Sequence, residues 1–212
     1  MSLQFPVESL TIRPAEPADS DWAADLVFGT GPGLFSYVFA LKPQAAQAVF
    51  RRAFAVENHA LSYEHVQILE VDDRPVGVAM GYSGRVKRQA ESQMQGVMSH
   101  LLPLSNVPRV LVNYADLSRI KQDVADGDYY LLSLALLPEF QGQGLGRVLL
   151  GEIQFQAQDQ GCKTLCADVT YSNDRACRWL ERLGYQKTCS KTSHRFEHMT
   201  DAKGLHRLEH AL

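Results

Sequence analysis

The chain contains a nearly unbroken apolar run, Tyr129 to Leu137, that ends at Pro138 and leads straight into Glu139-Phe140-Gln141-Gly142-Gln143-Gly144-Leu145-Gly146. A run of this length suits a strand buried on both faces. After the glycines, Leu145, Val148, Leu149, Ile153 and Ala157 recur at helical spacing, and Gly161 is a natural residue to close the helix. Strand, glycine loop and helix follow one another without a spare residue. Three alternate glycines let the backbone curl closely around a ligand, and the helix start behind them offers unpaired N–H groups at the positive end of its dipole. The unit is therefore a seat for a diphosphate built from backbone.

Such a seat needs no basic patch, which matters because 24 acidic against 21 basic residues leave a net charge of −3. That balance argues against general nucleic-acid binding, which depends on neutralising phosphates with side chains. Hydrophobic residues at 45% and charged residues at 21% exclude wholesale disorder. The 212 residues suffice for one large domain or two small ones, with a core that needs no staples. No apolar run reaches the ~18–20 residues of a membrane span. The opening MSLQFPVESL lacks a basic segment followed by an apolar one, so a cytoplasmic chain with no membrane partner is expected. Cys162, Cys166, Cys177 and Cys189 show no paired metal spacing and are expected as reduced, mostly buried thiols. His194/His198 and His206/His210 are spaced i, i+4 but lack an acidic third ligand, so no metal is expected.

The remaining pattern predicts an α/β (α+β) domain. Leu10 to Arg13 reads as a strand, 18–28 as a helix, Thr30-Gly31-Pro32-Gly33 as a loop, and Pro43 to about Glu57 as a second helix. Val66 to Val71 and Val76 to Tyr82 read as a hairpin around the turn Asp72-Asp73-Arg74-Pro75. In its second strand Val76, Val78, Met80 and Tyr82 form a bulky face, while Gly77, Ala79 and Gly81 form a small one suited to close approach of a helix or ligand. Residues 84–127 hold two amphipathic helical stretches, the second through Leu117, Ile120 and Val124. Leu165 to Val169 reads as a strand, Asn173 to Leu183 as a helix closed by Gly184, and 185–196 and 204–211 as strands.

The glycine loop fails two familiar templates. A dinucleotide fingerprint would need glycine at Arg147 or Leu149, and a phosphate-binding P-loop would need a Gly-Lys-Ser/Thr triplet that is absent. What it does match is Gln141-x-x-Gly144-x-Gly146 after a strand ending in Pro-Glu, followed downstream by Val169-x-x-x-Asn173-x-x-Ala176-x-x-x-Leu180-Glu181-Arg182-Leu183-Gly184-Tyr185. These two ordered motifs resemble those of the GNAT superfamily, the acetyl-CoA-dependent N-acyltransferases. The resemblance covers residues 129–187, and the start at 10–82 is compatible with it.

The resemblance implies a single domain over 1–212 with a helical insert at 84–127. It also implies a mixed, mostly antiparallel sheet, flanked by helices and splayed between the strands at 129–137 and 165–169. It implies that Gln141, Gly142, Gln143, Gly144, Leu145 and Gly146 hold the pyrophosphate of acetyl-CoA through backbone amides. Leu134, Ala135 and Leu136 then meet the pantetheine arm, Asn173 contacts the cofactor, and Arg147 and Arg178 reach phosphate oxygens. The expected reaction is direct attack of a primary amine, on a small molecule or a protein, upon the thioester in a ternary complex. The chain would work as a monomer or homodimer.

One departure stands out. The family's usual tyrosine for protonating the leaving thiolate falls at Leu180, with Trp179 beside it, and neither donates a proton as a phenol does. Tyr171 is the replacement candidate, Asp168 a candidate base, and Tyr82 a third candidate, with a packing role the alternative for each. The loop through Gly31 to Tyr37 and the 84–127 insert are expected to wall the acceptor side, and Glu57, Glu64 and Asp128 are acids available to attract a cationic amine. A non-catalytic acyl-CoA-binding or regulatory module of the same fold is the alternative, and a nucleotide enzyme of Rossmann type is a third reading.

Overall fold

The strands are β1 (Leu10–Pro14), β2 (Val66–Val71), β3 (Arg74–Ser83), β4 (Asp128–Leu136), β5 (Thr164–Thr170), β6 (Gln186–Lys191) and β7 (Leu205–Ala211). The computed structural model describes residues 3–212, so the first two residues of the opening stretch lie outside the described residues. One sheet runs β1-β2-β3-β4-β5-β7-β6. Every neighbouring pair is antiparallel except β4 with β5. This is the mixed, mostly antiparallel sheet that was expected.

The helices are α1 (Ala23–Gly29), α2 (Pro32–Phe39), α3 (Pro43–Phe54), α4 (Gly84–Leu101), α5 (Val107–Ile120), α6 (Leu145–Asp159), α7 (Asp174–Glu181) and α8 (His194–Met199). On one face of the sheet, α1 to α4 pack over Val66, Ile68, Val78 and Met80. On the other, α6 and α7 cover Leu69, Ala79, Leu131 and Leu165. Among the described residues no helix is long and apolar enough to cross a membrane.

Local chemistry accounts for most boundaries. The turn expected over 72–75 is Asp72 and Asp73 alone: both take positive φ (49° and 60°), the backbone of a type I′ hairpin turn, and Arg74 and Pro75 already pair with β2 as the start of β3. Gly161 (φ 73°) closes α6, with the Cys162 N–H on the Ala157 carbonyl at 2.9 Å. Gly184 (φ 90°) ends the segment after α7 in the same way, the Tyr185 N–H reaching the Leu180 carbonyl at 3.1 Å. The small face of β3 receives α6: a β-carbon at Gly77 would stand 3.1 Å from Leu149.

Five further expectations need correction. The 18–28 segment is a 3-10 turn followed by α1. The loop at Thr30-Gly31-Pro32-Gly33 stops at Gly31, because Pro32 opens α2 from the first helical position. Val76 leaves the bulky face of β3, since Glu70 pairs with Pro75 and Leu69 with Gly77, which makes Val76 an extra residue turned toward α6. Val124 is buried but lies beyond the end of α5. The strand expected over 185–196 ends at Lys191, where Ser193 caps α8 by accepting the Phe196 N–H at 3.0 Å.

Cys162, Cys166 and Cys177 are buried thiols and Cys189 is half-buried. His194 and His198 stack on each other, with His198 Nδ1 2.8 Å from the His194 carbonyl. His206 and His210 lie on a strand, which separates positions four apart by about 13 Å. Among the described residues no three His, Cys, Asp or Glu side chains converge as metal ligands.

His59 links the core to pH. It is fully buried, with Nε2 2.9 Å from the Ala53 carbonyl and Nδ1 accepting the Leu61 N–H at 3.2 Å. Those two bonds call for the neutral ring, and burial holds its pKa below the ordinary 6.5. Burial lowers His65 in the same direction. The unfolded chain therefore binds more protons than the native one just below pH 6.5, so stability falls as the pH drops through that value. The expected result is a urea midpoint that is flat above about pH 7 and declines toward pH 5, with a shallower decline in His59→Asn. An unchanged slope in that variant would remove His59 from this role.

Candidate functional site

The sheet opens between β4 and β5. Their parallel pairing runs from Asp128↔Thr164 to Leu131↔Ala167 and ends there, although β4 continues to Leu136 and β5 to Thr170. The cause is a bulge on β4. Met80 pairs with Ser133 and Gly81 with Leu131, which leaves Leu132 as an extra residue. A bulge bends its strand and increases its twist, and here it swings β4 away from β5. Tyr129, Tyr130 and Leu131 are buried where the strands pair, whereas Leu132, Leu134, Ala135 and Leu136 are only half-buried beyond the bulge. From Leu132 on, the side of β4 turned from β3 has no neighbouring strand.

At the end of this wedge stands the glycine loop. Gly142 and Gly144 have φ of 79° and 89°, the left-handed region that favours glycine. Gln141 Nε2 donates to the Leu136 carbonyl at 3.1 Å and Gln143 Nε2 to the Glu139 carbonyl at 2.6 Å. Gln141 thus fastens the loop to the strand it leaves, and Gln143 fastens it to the 3-10 turn at Pro138–Phe140. Leu145, fully buried, anchors the start of α6. The first N–H groups of a helix lack intrahelical partners, and of these the Arg147 N–H turns back to the Gly144 carbonyl at 3.0 Å. A β-carbon at Gly146 would lie 3.3 Å from the Trp179 ring, so this glycine sets how closely α6 meets α7. The donor set fits an anion held by backbone and helix dipole.

Three further residues of the expected cofactor site sit near this end. Arg147 is exposed on the first turn of α6. Arg178 is exposed on α7, 4.0 Å from Asp174. Asn173 caps α7, its Oδ1 accepting the Ala176 N–H at 3.1 Å, which leaves its amide nitrogen and one lone pair of Oδ1 for a ligand.

The three expected catalytic residues do not gather at the wedge. Asp168 is held by Arg207 through two bonds of 2.7 and 2.9 Å, with both side chains under 5% exposed, and Tyr130 Oη donates to it at 3.2 Å. Both oxygens of this carboxyl group are thus engaged within the fold, and neither is turned to an acceptor amine. Tyr82 is buried against His65 and Tyr130, and burial pushes its hydroxyl far above the ordinary tyrosine range. Tyr171 stacks on His206 at 4.2 Å and covers Gly204, which turns its ring toward β7 and away from β4. Leu180 is buried in the core between α7 and the sheet.

At the end of β5 lies a cleft of ≈ 140 Å³, lined by Thr30 to Leu34, by Thr170 of β5, by Ser172 and Asn173 after it, and by Asp201 and Ala202. The Ser133 hydroxyl, just past the bulge, donates to Thr30 Oγ1 at 3.1 Å and ties β4 to this wall. Of the expected acceptor wall, Gly31 to Leu34 line the cleft, while Phe35 and Tyr37 are core residues. Glu57 and Glu64 serve local bonds to Tyr63 and to Asn58 and Ser62, and no expected acid lines the cleft. Ser133, Thr170, Ser172 and Asp201 went unnoticed in the sequence, because none sits in a motif and only the fold brings them together.

The insert also has a visible role. Asp116 of α5 accepts the Tyr37 hydroxyl of α2 at 2.7 Å and the Ser193 hydroxyl that caps α8 at 2.6 Å. Burial and the Asp116 carboxylate push the Tyr37 hydroxyl up to about 12. Asn113 donates to the Tyr37 carbonyl at 2.6 Å and accepts from Arg195 at 2.9 Å. Helix α5 therefore clamps α2 and α8, the helices that carry the two sides of the cleft.

A model of the acetyltransferase (GNAT) family matches residues 35–185. Among curated proteins, the [ribosomal protein bS18]-alanine N-acetyltransferase of Haemophilus influenzae is 40% identical over 58 residues, which are 27% of this chain. That match spans 38% of the relative's length. Among solved structures, an N-acetyltransferase from Staphylococcus aureus Mu50 has a TM-score of 0.69 at 18% identity, covering 94% of this chain and 100% of that one. An acetyltransferase crystal structure has a TM-score of 0.64 at 17% identity, covering 95% and 98%. At these identities the structures speak for the fold alone.

Proposed function

The chain belongs to the acetyltransferase (GNAT) family, and we propose that it transfers an acetyl group from acetyl-CoA to a primary amine by direct attack in a ternary complex. The observation that carries this reading is the parting of β4 from β5 beyond Leu131, directly ahead of the glycine loop. The loop from Gln141 to Gly146 seats the diphosphate on backbone amides. Leu134 to Leu136 run beside the pantetheine arm in the wedge. Asn173, Arg147 and Arg178 supply polar contacts at its edge.

The acceptor comes from the cleft on the other side of the wedge. Its neutral amine forms the new C–N bond at the thioester carbonyl, and the C–S bond then breaks. Backbone N–H groups of β4 past the bulge hold the oxyanion that develops. The amine proton passes to water in the cleft. With Leu180 and Trp179 where a phenol would stand, the thiolate leaves unassisted, which the low pKa of a thiol permits.

The test is a panel of primary amines with CoA release as the readout, beside heat-shift measurements with acetyl-CoA, CoA and NAD. A ligand that binds the native state raises its melting temperature. The expected outcome is a shift with acetyl-CoA and CoA, together with CoA release for a subset of amines. A shift with NAD alone, or acetyl-CoA binding without release for every amine, overturns the reading.

A further inference from the structure

We propose that the groove between α5 and α8 docks an acidic, amphipathic peptide segment of a partner protein. Apolar side chains of that segment meet Val112 and Ala115, and its carboxylates meet Arg119 and Arg195. The groove holds ≈ 570 Å³, within the ~300–1,000 Å³ range of ligand pockets. It is separate from the transferase site: no residue of β4, of the glycine loop or of the cleft at the end of β5 lines it.

Helix α5 turns an unusual side to solvent. Leu111, Val112 and Tyr114 are 55%, 52% and 52% exposed, and Leu104, just ahead of the helix, is 81% exposed. These are four of the eight large apolar side chains left exposed among the described residues, so such surface is concentrated on one element. Apolar residues scattered singly over a surface need no explanation, whereas a cluster rimmed by polar groups marks an interaction site. The inward side of the same helix carries polar Asn113 and Asp116 beside Leu117 and Ile120, all four buried. Those two polar residues fix the orientation. Asp116 takes the hydroxyls of Tyr37 and Ser193, and Asn113 bonds the Tyr37 carbonyl and Arg195. Rolling α5 to bury Leu111 and Val112 would break all of these bonds and strand the groups that make them. The helix therefore cannot hide its apolar stripe within its own fold.

The charge around the stripe has one sign. Asp116 is the only acid of α5, and it is buried under its two hydroxyl donors. The exposed charges of the helix are Arg109 and Arg119. Across the groove stand His194 and Arg195. Arg195 gives two of its nitrogens to the neutral oxygen of Asn113, at 3.1 and 2.9 Å. Among the described residues neither Arg119 nor Arg195 forms an ion pair. An apolar floor with a basic rim thus sits on a chain whose net charge is −3.

This combination selects the occupant. A second copy presenting the same face would bring arginines together without an acid between them, which opposes pairing. A nucleic acid carries a dense row of phosphates and needs many cations along its path, whereas this floor is apolar and its arginines are few. An amphipathic helix with acidic flanks satisfies both halves, laying apolar side chains at i, i+3 and i+4 along the groove and carboxylates on the guanidinium groups.

The experiment measures fluorescence anisotropy of two labelled amphipathic peptides of equal length with the full chain. One is built of leucine and glutamate, the other of leucine and lysine. The glutamate peptide is expected to bind at least tenfold more tightly than the lysine peptide, and to weaken as salt screens the charges. Arg119→Glu and Val112→Asp each weaken it by about tenfold or more. Both variants keep the native melting temperature and acetyl-CoA Kd, since both positions are exposed and outside the transferase site.

Equal affinity for the two peptides, failure of the glutamate peptide to bind, or binding that survives in both variants overturns the proposal. An oligouridylate that displaces the glutamate peptide overturns it in favour of nucleic acid. Sedimentation of the chain alone tests the remaining occupant: a dimer that Val112→Asp dissociates would assign the face to a second copy. None of these outcomes bears on acetyl transfer, which the amine panel tests separately.

Discussion

Replacing Arg207 with alanine will lower the stability of the fold by about 3–5 kcal/mol, the loss typical of a buried ion pair left with one partner. Arg207 and Asp168 are 3% and 4% exposed, and the guanidinium meets the carboxylate with two parallel bonds. The same guanidinium donates to the Gln122 carbonyl at 2.9 Å and the Asp123 carbonyl at 3.2 Å. It thus joins β7, β5 and the segment after α5 in one knot, with its Cζ 5.7 Å from the Tyr130 ring centre. Alanine leaves a carboxylate in the interior and two carbonyls without their donor. Lysine will recover little, because a point charge on a flexible stem cannot reproduce the fork. The double variant Arg207→Leu with Asp168→Leu will be markedly more stable than Arg207→Ala, since no lone charge remains. Urea titrations at pH 7 measure all three. Natural domains are stable by only about 5–15 kcal/mol, so a loss under 1 kcal/mol for Arg207→Ala would show that the pair contributes nothing of note.

Gly144→Val will weaken acetyl-CoA binding by about ten- to a hundredfold or more. Gly144 has φ 89° and ψ −14° directly before α6. A side chain in the left-handed region costs roughly 1–2 kcal/mol, so the free loop relaxes out of this conformation and binding has to restore it, each 1.4 kcal/mol being tenfold in affinity. A β-branched side chain is among the worst residues for that region, and its added bulk stands where the loop backbone must approach the diphosphate. Gly144→Asn will be milder, because asparagine visits this conformation routinely. Calorimetric titration with acetyl-CoA reads the effect, and a melting curve separates it from unfolding. A valine variant that melts earlier but binds acetyl-CoA with native affinity would place the diphosphate elsewhere.

The elements visible in the sequence are those whose signals are local. The hairpin at Asp72-Asp73, the closure of α6 by Gly161 and the β4–loop–α6 unit each rest on residues within one turn of each other. The acetyltransferase resemblance came from two such local motifs, and the family model extends it to residues 35–185. What stayed hidden is long-range. The apolar run Tyr129 to Leu137 reads as uniform, and nothing in it marks Leu132 as a bulge, because a bulge is set by how β3 pairs with it. Asp168 looked like an available base because its partner lies 39 positions away. Pro32-Gly33 carries turn chemistry, yet proline also suits a first helical turn, and α2 forms because Phe35 and Phe39 find the core. The cleft could not be seen at all, for Thr30, Thr170 and Asp201 meet only once α5 has clamped α2 and α8.

The order β5-β7-β6 has a consequence for how the chain is made. During synthesis the earlier segments emerge and fold first. β6 leaves the ribosome before β7, yet it touches the sheet only through β7. Until Leu205–Ala211 emerges, β5 has a bare edge, β6 has nothing to pair with, and Asp168 waits without Arg207. Bare edges invite pairing with other chains. The composition of β6, Gln186-Lys187-Thr188-Cys189-Ser190-Lys191, answers this with two lysines and mostly exposed polar side chains. Insertion of β7 closes both edges and delivers the guanidinium in a single event. A chain folded as far as β6 therefore carries an open β5 edge and an Asp168 without its guanidinium, and both are settled by the same strand.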